Sequence, residues 1–250
     1  MQVLRVLLHA DGLRRNLRAN ASNSGLPYRH YADWRFMRVI AGIAGGIPLE
    51  IPKTDLRPTM DVVKGAIFSS LGEFAIDARV LDLFSGSGGL GIEALSRGAR
   101  HVVMVESDRR AVASIRKNLE KTRLTGGVHE MDVFSYLDRL AAPGSFEIII
   151  ADPPYAKALG DRDFTNELLA SDNLRAALSE DGIFVLEHRP GAKLPLKDRW
   201  TLIRQKRYGA TEVAMLRAAV PGMSEAGGSA DASDESDPSA SAPNGGNLEQ

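Results

Sequence analysis

The chain has 250 residues, 44% of them hydrophobic and 25% charged, which suffices to bury one good-sized core. It contains no cysteine, and this excludes disulfides, thiolate zinc sites and cysteine nucleophiles while fitting a reducing compartment. The net charge is only -1, so a nucleic-acid footprint must be local rather than global.

That balance is uneven. Residues 218–250 carry six acids and no Lys or Arg, which leaves 31 basic against 26 acidic side chains in the remainder. Residues 1–36 hold six arginines against Asp11 and Asp33, and residues 37–217 are then only +1. The opening Val3-Leu4-Arg5-Val6-Leu7-Leu8 is too short and broken for a secretory core, and Arg14, Arg15 and Arg18 follow it instead of preceding it. No apolar run approaches the ~20 residues of a membrane-spanning helix. A cytoplasmic protein without a membrane partner is expected.

In chain order, residues 1–36 lack a period and mix Asn, Ser, Gly and Arg. They read as a flexible basic extension, or as sequence upstream of a start at Met37; the sharper alternative is an arm that grips phosphate. Residues 37–78 read as a hairpin and a helix. Arg38 to Leu49 gives short strands around a glycine turn, and Arg57-Pro58-Thr59-Met60-Asp61 starts the helix with Thr59 or Asp61 near its N-cap. Val62, Val63, Ala66, Ile67, Phe68 and Leu71 form its apolar face.

From Arg79 to Arg217 strand and helix patterns alternate. Strands are expected at Val80–Phe84, His101–Glu106, near Val128, from Phe146 to Ala151, and at Gly182–Glu187, with helices at Leu90–Arg97, 109–121 and Phe164–Leu178. Trp200–Gln205 and Glu212–Arg217 form a closing antiparallel pair. Repeated β-α-β units predict an α/β fold with a mostly parallel sheet, right-handed crossovers and helices on both faces. Residues 218–250, rich in Ser, Gly, Ala and Asp, form a disordered acidic tail.

Two motifs carry chemistry. Asp82-Leu83-Phe84-Ser85-Gly86-Ser87-Gly88-Gly89-Leu90-Gly91 is a glycine-rich strand-to-helix turn that lets a ligand approach bare backbone. Glu106 ends the next strand about 20 residues on, where an acid can accept from both ribose hydroxyls. An acid on the first strand suits a ligand with a cationic end better than an anionic pyrophosphate, and this points to S-adenosylmethionine. Asp82, Phe84, Ser85, Gly86, Gly88, Glu106 and Ser107 are the expected donor-binding set. Asp132 extends it by accepting from the adenine amino group, or is an ordinary helix cap.

The second motif is Asp152-Pro153-Pro154-Tyr155, placed where a buried strand must stop because proline cannot continue the ladder. An exocyclic amine of a nucleobase is a poor nucleophile, its lone pair being delocalised into the ring. The Asp152 carboxylate and the Pro153 carbonyl can accept its two N–H groups and aim the lone pair at a methyl carbon, while Pro154 fixes the turn and Tyr155 stacks on the base.

Met37-Arg38-Val39-Ile40-Ala41-Gly42, Leu56-Arg57-Pro58-Thr59-Met60-Asp61, the glycine turn, Gly91-Ile92-Glu93-Ala94-Leu95-Ser96-Arg97-Gly98 and Asp152-Pro153-Pro154-Tyr155 together resemble the RsmD family over residues 37–217. The resemblance implies a seven-stranded Rossmann-like, S-adenosylmethionine-dependent 16S rRNA guanine-N2 methyltransferase. It also implies that Arg57 and Thr59 help close the donor and substrate site, and that Asp152 and Tyr155 handle the guanine. The expected partner is 16S rRNA in an assembled or assembling small subunit, met by a monomer. One departure stands out. Family members commonly carry Lys or Arg in the glycine-rich segment near the N-terminus, and Ala44-Gly45-Gly46-Ile47-Pro48-Leu49 has neither; Lys53, Arg57 and Lys64, or the arginine-rich arm, could compensate.

Other residues read as structural. The five histidines lack ligand spacing and no metal is expected; Glu187-His188 reads as a hydrogen-bonded strand-end pair, and Trp34 and Trp200 as packing residues. Two other functions use the same features: an adenine-N6 methyltransferase, which shares the Asp-Pro-Pro-Tyr chemistry, and a non-catalytic rRNA-binding ribosome-assembly factor that keeps the donor pocket.

Overall fold

The computed structural model describes residues 37–51, 61–156, 158 and 160–219. Residues 1–36, the segment 52–60 with Lys53, Arg57 and Thr59, and the chain from Val220 onward lie outside them, as does Trp34. An antiparallel pair, β1 (Met37–Arg38) and β2 (Pro48–Leu49), is followed by helix α1 (Asp61–Leu71). Strands β3 (Arg79–Leu83), β4 (His101–Glu106), β5 (Gly127–Glu130), β6 (Phe146–Ala151) and β7 (Leu178–His188) then alternate with helices α2 (Gly89–Ser96), α3 (Arg109–Thr122), α4 (Val133–Arg139), α5 (Phe164–Ala170) and α6 (Asp172–Ala177). These five strands are parallel, and β8 (Trp200–Tyr208) and β9 (Thr211–Ala218) add an antiparallel edge.

The sheet order is β5-β4-β3-β6-β7-β9-β8, so the winding reverses between β3 and β6. Successive side chains of a strand point to opposite faces, and the sheet has two cores. Val80, Met104, Ile148, Ile150 and Val185 pack under α1, α2, α3 and the β1–β2 hairpin. Leu81, Val105, Ile149, Phe184 and Leu186 pack under α4, α5, α6 and Trp200. The expected α/β fold with helices on both faces and a small N-terminal hairpin is therefore present.

Three local expectations change. Val62 is 70% exposed, so the buried face of α1 consists of Val63, Ile67, Phe68 and Leu71. The single helix expected over Phe164–Leu178 is two, because the Ser171 side chain accepts from the Leu174 N–H at 3.1 Å and starts a new helix there. Strand β7 begins at Leu178 rather than Gly182, its register to β6 shifting between Phe146 and Ile148.

Helix α2 holds the hairpin to the sheet by polar contacts inside an apolar interface. The Glu93 carboxylate, fully buried, accepts from the Ile40 N–H at 2.7 Å, the Ala41 N–H at 3.1 Å and the Arg97 guanidinium at 2.6 Å. Ser96 Oγ accepts from the Ala44 N–H at 3.0 Å and donates to the Ala41 carbonyl at 2.6 Å. A Cβ at Gly42 would stand 1.8 Å from the Ser96 carbonyl oxygen, so only glycine lets the two backbones meet. Lys64 completes the group. It is fully buried, donates to the Arg38 carbonyl, and has Nζ 4.0 Å from Glu93 and 3.6 Å from Asp61. A lysine held this way cannot reach a phosphate, which corrects the expectation that Lys64 compensates for the cation-free glycine segment.

Removing the charge from this buried acceptor weakens several charge-assisted hydrogen bonds at once, each worth ~1.5–3 kcal/mol. Glu93→Gln is expected to lower unfolding free energy by about 2–3 kcal/mol in urea denaturation; a loss below about 0.5 kcal/mol would show that the hairpin is held by apolar packing alone.

Candidate active site

Ligands of open α/β sheets bind outside the carboxyl ends of the strands where the winding reverses, and here β3 and β6 end there. After β3 the chain turns sharply. Phe84 has φ 58°, Gly86 φ 55° and Gly88 φ 81°, left-handed values that a bulky side chain such as Phe84 adopts only under local constraint. The constraint is visible. The Ser85 N–H and Oγ both donate to the Val105 carbonyl, at 3.1 and 3.3 Å, Oγ also donates to the Asp82 carbonyl at 2.6 Å, and the Gly88 N–H donates to the Ser85 carbonyl at 2.7 Å.

Two carboxylates brace the turn. Asp82, 1% exposed, accepts from the Gly91 N–H at 2.9 Å. Glu106 accepts from the Gly86 N–H at 2.8 Å with one oxygen and from the Asp108 N–H at 2.8 Å with the other. At Gly91 a Cβ would lie 2.7 Å from Met104 Cγ, whereas at Gly86 none of the described residues stands within 4 Å of that position. Gly91 is thus glycine for packing, and Gly86 offers open backbone. Asn118 supports the turn from behind: its amide donates to the Ser87 and Glu50 carbonyls, each at 2.9 Å, and its oxygen accepts from the Glu50 N–H at 2.7 Å.

Asp152 follows β6 directly and is half-buried; Pro153 is buried and Pro154 exposed. Because Ala151 pairs with Leu186, Asp152 and Glu187 stand at neighbouring strand ends. Burial, then the negative charge of Asp152, pushes the Glu187 carboxyl up to about 8, opposed by a hydrogen bond from Thr211. Burial likewise raises Asp82 to about 7; the Gly91 N–H opposes this, and the charges of Asp152 and Glu106 add to it. Glu106, Asp82, Asp152 and Glu187 therefore occupy the ends of four consecutive strands, β4-β3-β6-β7.

Tyr155 is fixed from the antiparallel edge. Its hydroxyl shares a 2.6 Å hydrogen bond with Thr211 Oγ1 at the start of β9, and burial pushes its ionisation up to about 12. Glu187 and His188 are not the fully hydrogen-bonded pair expected of them. Among the described residues Glu187 Oε2 and His188 Nε2 are buried without a hydrogen-bond partner, while a hydrogen bond from Thr211 reaches the Glu187 carboxyl and His188 Nδ1 lies 3.0 Å from the Arg189 carbonyl. Trp200 is packed as expected, 3% exposed, its indole N–H donating to the Leu169 carbonyl at 2.8 Å.

Asp132 stands apart from these groups. It caps α4 by accepting from the Ser135 N–H at 3.0 Å and lies 3.9 Å from Arg162, whose guanidinium sits 4.7 Å from the ring centres of both Phe134 and Phe164. Phe84 meets Phe164 edge-on at 5.2 Å, so the glycine turn borders this aromatic group. Ser107 is exposed beyond Glu106. Arg57 and Thr59 lie outside the described residues.

Sequence reasoning did not find Thr211, Asn118 or the anchoring roles of Glu93 and Ser96. A signal existed for two of them: Glu93 sits in the otherwise apolar α2, and Asn118 interrupts the apolar face formed by Ile115 and Leu119 of α3. Thr211 left none, since its role depends on the β8–β9 turn meeting Tyr155 from 56 residues away.

Comparison with known proteins agrees with this geometry. The family model described as conserved hypothetical protein 95 matches residues 37–217. YlbH of Bacillus subtilis is 38% identical over 186 residues, 72% of this chain and 98% of its own length. The ribosomal RNA small subunit methyltransferase D of Escherichia coli K12 is 31% identical over 193 residues, 76% of this chain and 94% of its own. Among solved structures, YhhF of Escherichia coli superposes with a TM-score of 0.63 at 32% identity, covering 74% of this chain and 98% of that one. The chain belongs to the family described as conserved hypothetical protein 95, the RsmD family of methyltransferases.

Proposed function

We propose that this protein methylates the exocyclic N2 amine of a guanine in 16S rRNA, with S-adenosylmethionine as donor. The observation that carries the reading is the placement of Asp152-Pro153-Pro154-Tyr155 directly beside the glycine turn, at the ends of adjacent strands β6 and β3. Residues 37–217 form the methyltransferase domain, 37–78 its hairpin and helix and 79–217 its Rossmann-like core, with 1–36 and 218–250 as appendages; the reach of the family match supports this division. The protein works in the cytoplasm as a monomer. Its substrate is the assembled or assembling small subunit, because a domain with so little net charge needs shape and protein surface for recognition.

The residues present suit that donor. Gly86 leaves backbone open where a side chain would block approach, Glu106 keeps lone pairs for ribose hydroxyls beyond its two backbone bonds, and Asp82 places a carboxyl where a cationic end would neutralise it. Phe84, Ser85 and Gly88 shape the same turn, Ser107 follows Glu106 at the end of β4, Asp132 caps α4, and the resemblance to the RsmD family assigns Arg57 and Thr59 to the same donor set. S-adenosylmethionine, when bound, supplies a methyl group on a cationic sulfur.

The chain's own residues prepare the nucleophile. Asp152 accepts one N–H of the guanine amine and the Pro153 carbonyl the other, which draws the nitrogen towards tetrahedral geometry and exposes its lone pair. Transfer of the methyl group would break its bond to sulfur, whose electron pair would leave with the donor as a neutral thioether, and the surplus proton of the amine would pass to Asp152 and on to water. Pro154 holds the turn, and Tyr155, its hydroxyl fixed by Thr211, presents its ring to a base taken out of its helix.

The test is transfer of labelled methyl from S-adenosylmethionine to small subunits lacking the modification, beside naked 16S rRNA and duplex DNA, with nucleoside analysis. N2-methylguanosine is expected; N6-methyladenosine would give the protein to the adenine chemistry, and donor binding without label to an assembly role. Asp152→Asn should lower kcat by ~10²–10³ with donor affinity within about twofold, since it removes charge where the transition state needs it; an equal loss of donor affinity would reassign Asp152 to donor binding.

Asp82 predicts a pH dependence. Its carboxyl loses its proton near 7, and only the ionised form attracts a cation. Donor affinity measured by calorimetry should therefore rise between about pH 6 and 7.5, by up to about tenfold per unit at the acid end, and Asp82→Asn should flatten the curve. A profile that stays steep in Asp82→Asn would place the titrating group elsewhere.

A further inference from the structure

The sheet ends on an uncovered cationic strand. Residues 201–207 of β8 are all exposed, and among the described residues β8 pairs with β9 alone. Arg204, Lys206 and Arg207 lie in this stretch with no acid among residues 200–210. Among the described residues, none of the three forms an ion pair. Arg204, Lys206 and Tyr208 share one face. With Ala66 and Ser70 of α1 they line a shallow groove floored by Val213, and Lys206 Nζ stands 5.5 Å from the centre of the Tyr208 ring. The groove is shallow and open to solvent, so it suits a chain lying across it rather than a group buried in it.

The groove leads to the site. Tyr208 pairs with Thr211, and Thr211 holds the Tyr155 hydroxyl. From that corner Lys206 and Arg204 recede along β8 in steps of ~6.8 Å, the period of alternate strand residues. Cations at such intervals beside a base-binding mouth match the repeat of phosphates along a nucleic-acid strand, and an aromatic ring among them adds a stacking surface. Exposed Lys and Arg also guard edge strands against pairing. A guard needs charge anywhere along the edge, whereas these two cations lie on one concave face with a ring between them and the mouth. Ala44–Leu49 carries no cation, and Lys64 is buried.

We infer that the groove between β8 and α1 binds the phosphodiester backbone of the substrate RNA beside the target guanine. The inference rests on the rRNA reading above. Its test is the pair Arg204→Gln/Lys206→Gln in the full chain, with direct binding of 16S rRNA across a salt series read beside turnover on unmodified small subunits. RNA affinity should fall about tenfold. The slope of log affinity against log salt should be shallower by about 1.4, as expected for two lost single-strand phosphate contacts at ~0.7 each. KM for subunits should rise while kcat and donor affinity stay within about twofold, and Arg204→Lys/Lys206→Arg should restore the slope.

An unchanged slope and KM would overturn the inference, as would a loss that the charge-conserving pair reproduces, or aggregation as the variant's sole defect. The two claims fail separately. A wild type that transfers no methyl yet binds RNA with a slope lost in the variant keeps the groove and sinks the activity; transfer to subunits with an unchanged slope in the variant does the reverse.

Discussion

Four carboxylates at the ends of four adjacent strands are the constraint around which this protein is arranged. Glu106, Asp82, Asp152 and Glu187 stand together at the mouth where the winding reverses between β3 and β6, and Asp82 and Glu187 resist ionisation because water is scarce and their neighbours share their sign. Such a cluster is tolerable only if each member is held by donors or meets a cation. Backbone N–H groups do part of this: Gly91 for Asp82, Gly86 and Asp108 for Glu106. Among the described residues, one buried oxygen of Glu187 is left without a partner. A positively charged donor would relieve the remaining repulsion, so the acids that brace the glycine turn also bias it towards a cationic ligand.

The same economy governs the hairpin. Apolar packing alone would let β1 and β2 slide on α2, since two-residue strands specify little register. Glu93, Ser96 and Asn118 replace that freedom with directed bonds from three helix positions to the backbone of residues 40–50. Asn118 binds the hairpin and the glycine turn at once. Consequently the strained backbone at Phe84 and the turn that follows it are braced from both sides, by β4 through Ser85 and by α3 through Asn118.

How much of this could be read in advance follows from the range of the interactions. The strands through Leu83, Glu106 and Ala151 were legible because each is a buried apolar run, and the last is closed by prolines that cannot continue it, which is where the Asp152-Pro153-Pro154-Tyr155 motif lies. The break at Ser171 was missed because the apolar pattern continues through it, while the capping bond that divides the helix is a local choice of one hydroxyl. Val62 was misplaced because a helix of eleven residues has more apolar positions than it has buried ones. Lys64 misled most. A lysine reads as solvent-facing, and only the fold reveals that its stem and charge are enclosed by Arg38, Asp61 and Glu93.

Charge also explains why a nearly neutral domain can handle a polyanion. Negative charge is concentrated inside the mouth and positive charge outside it, on β8, three strand spacings or ~14 Å from β6. Screening at physiological salt acts over ~8 Å, so phosphates at β8 feel Arg204 and Lys206 far more than the buried acids. Within the mouth the order reverses: phosphate is repelled, and a neutral base with N–H donors is favoured. On the proposed reading, the field therefore sorts the substrate, keeping backbone at the rim and admitting only the base, which is the separation that methylation of an exocyclic amine requires.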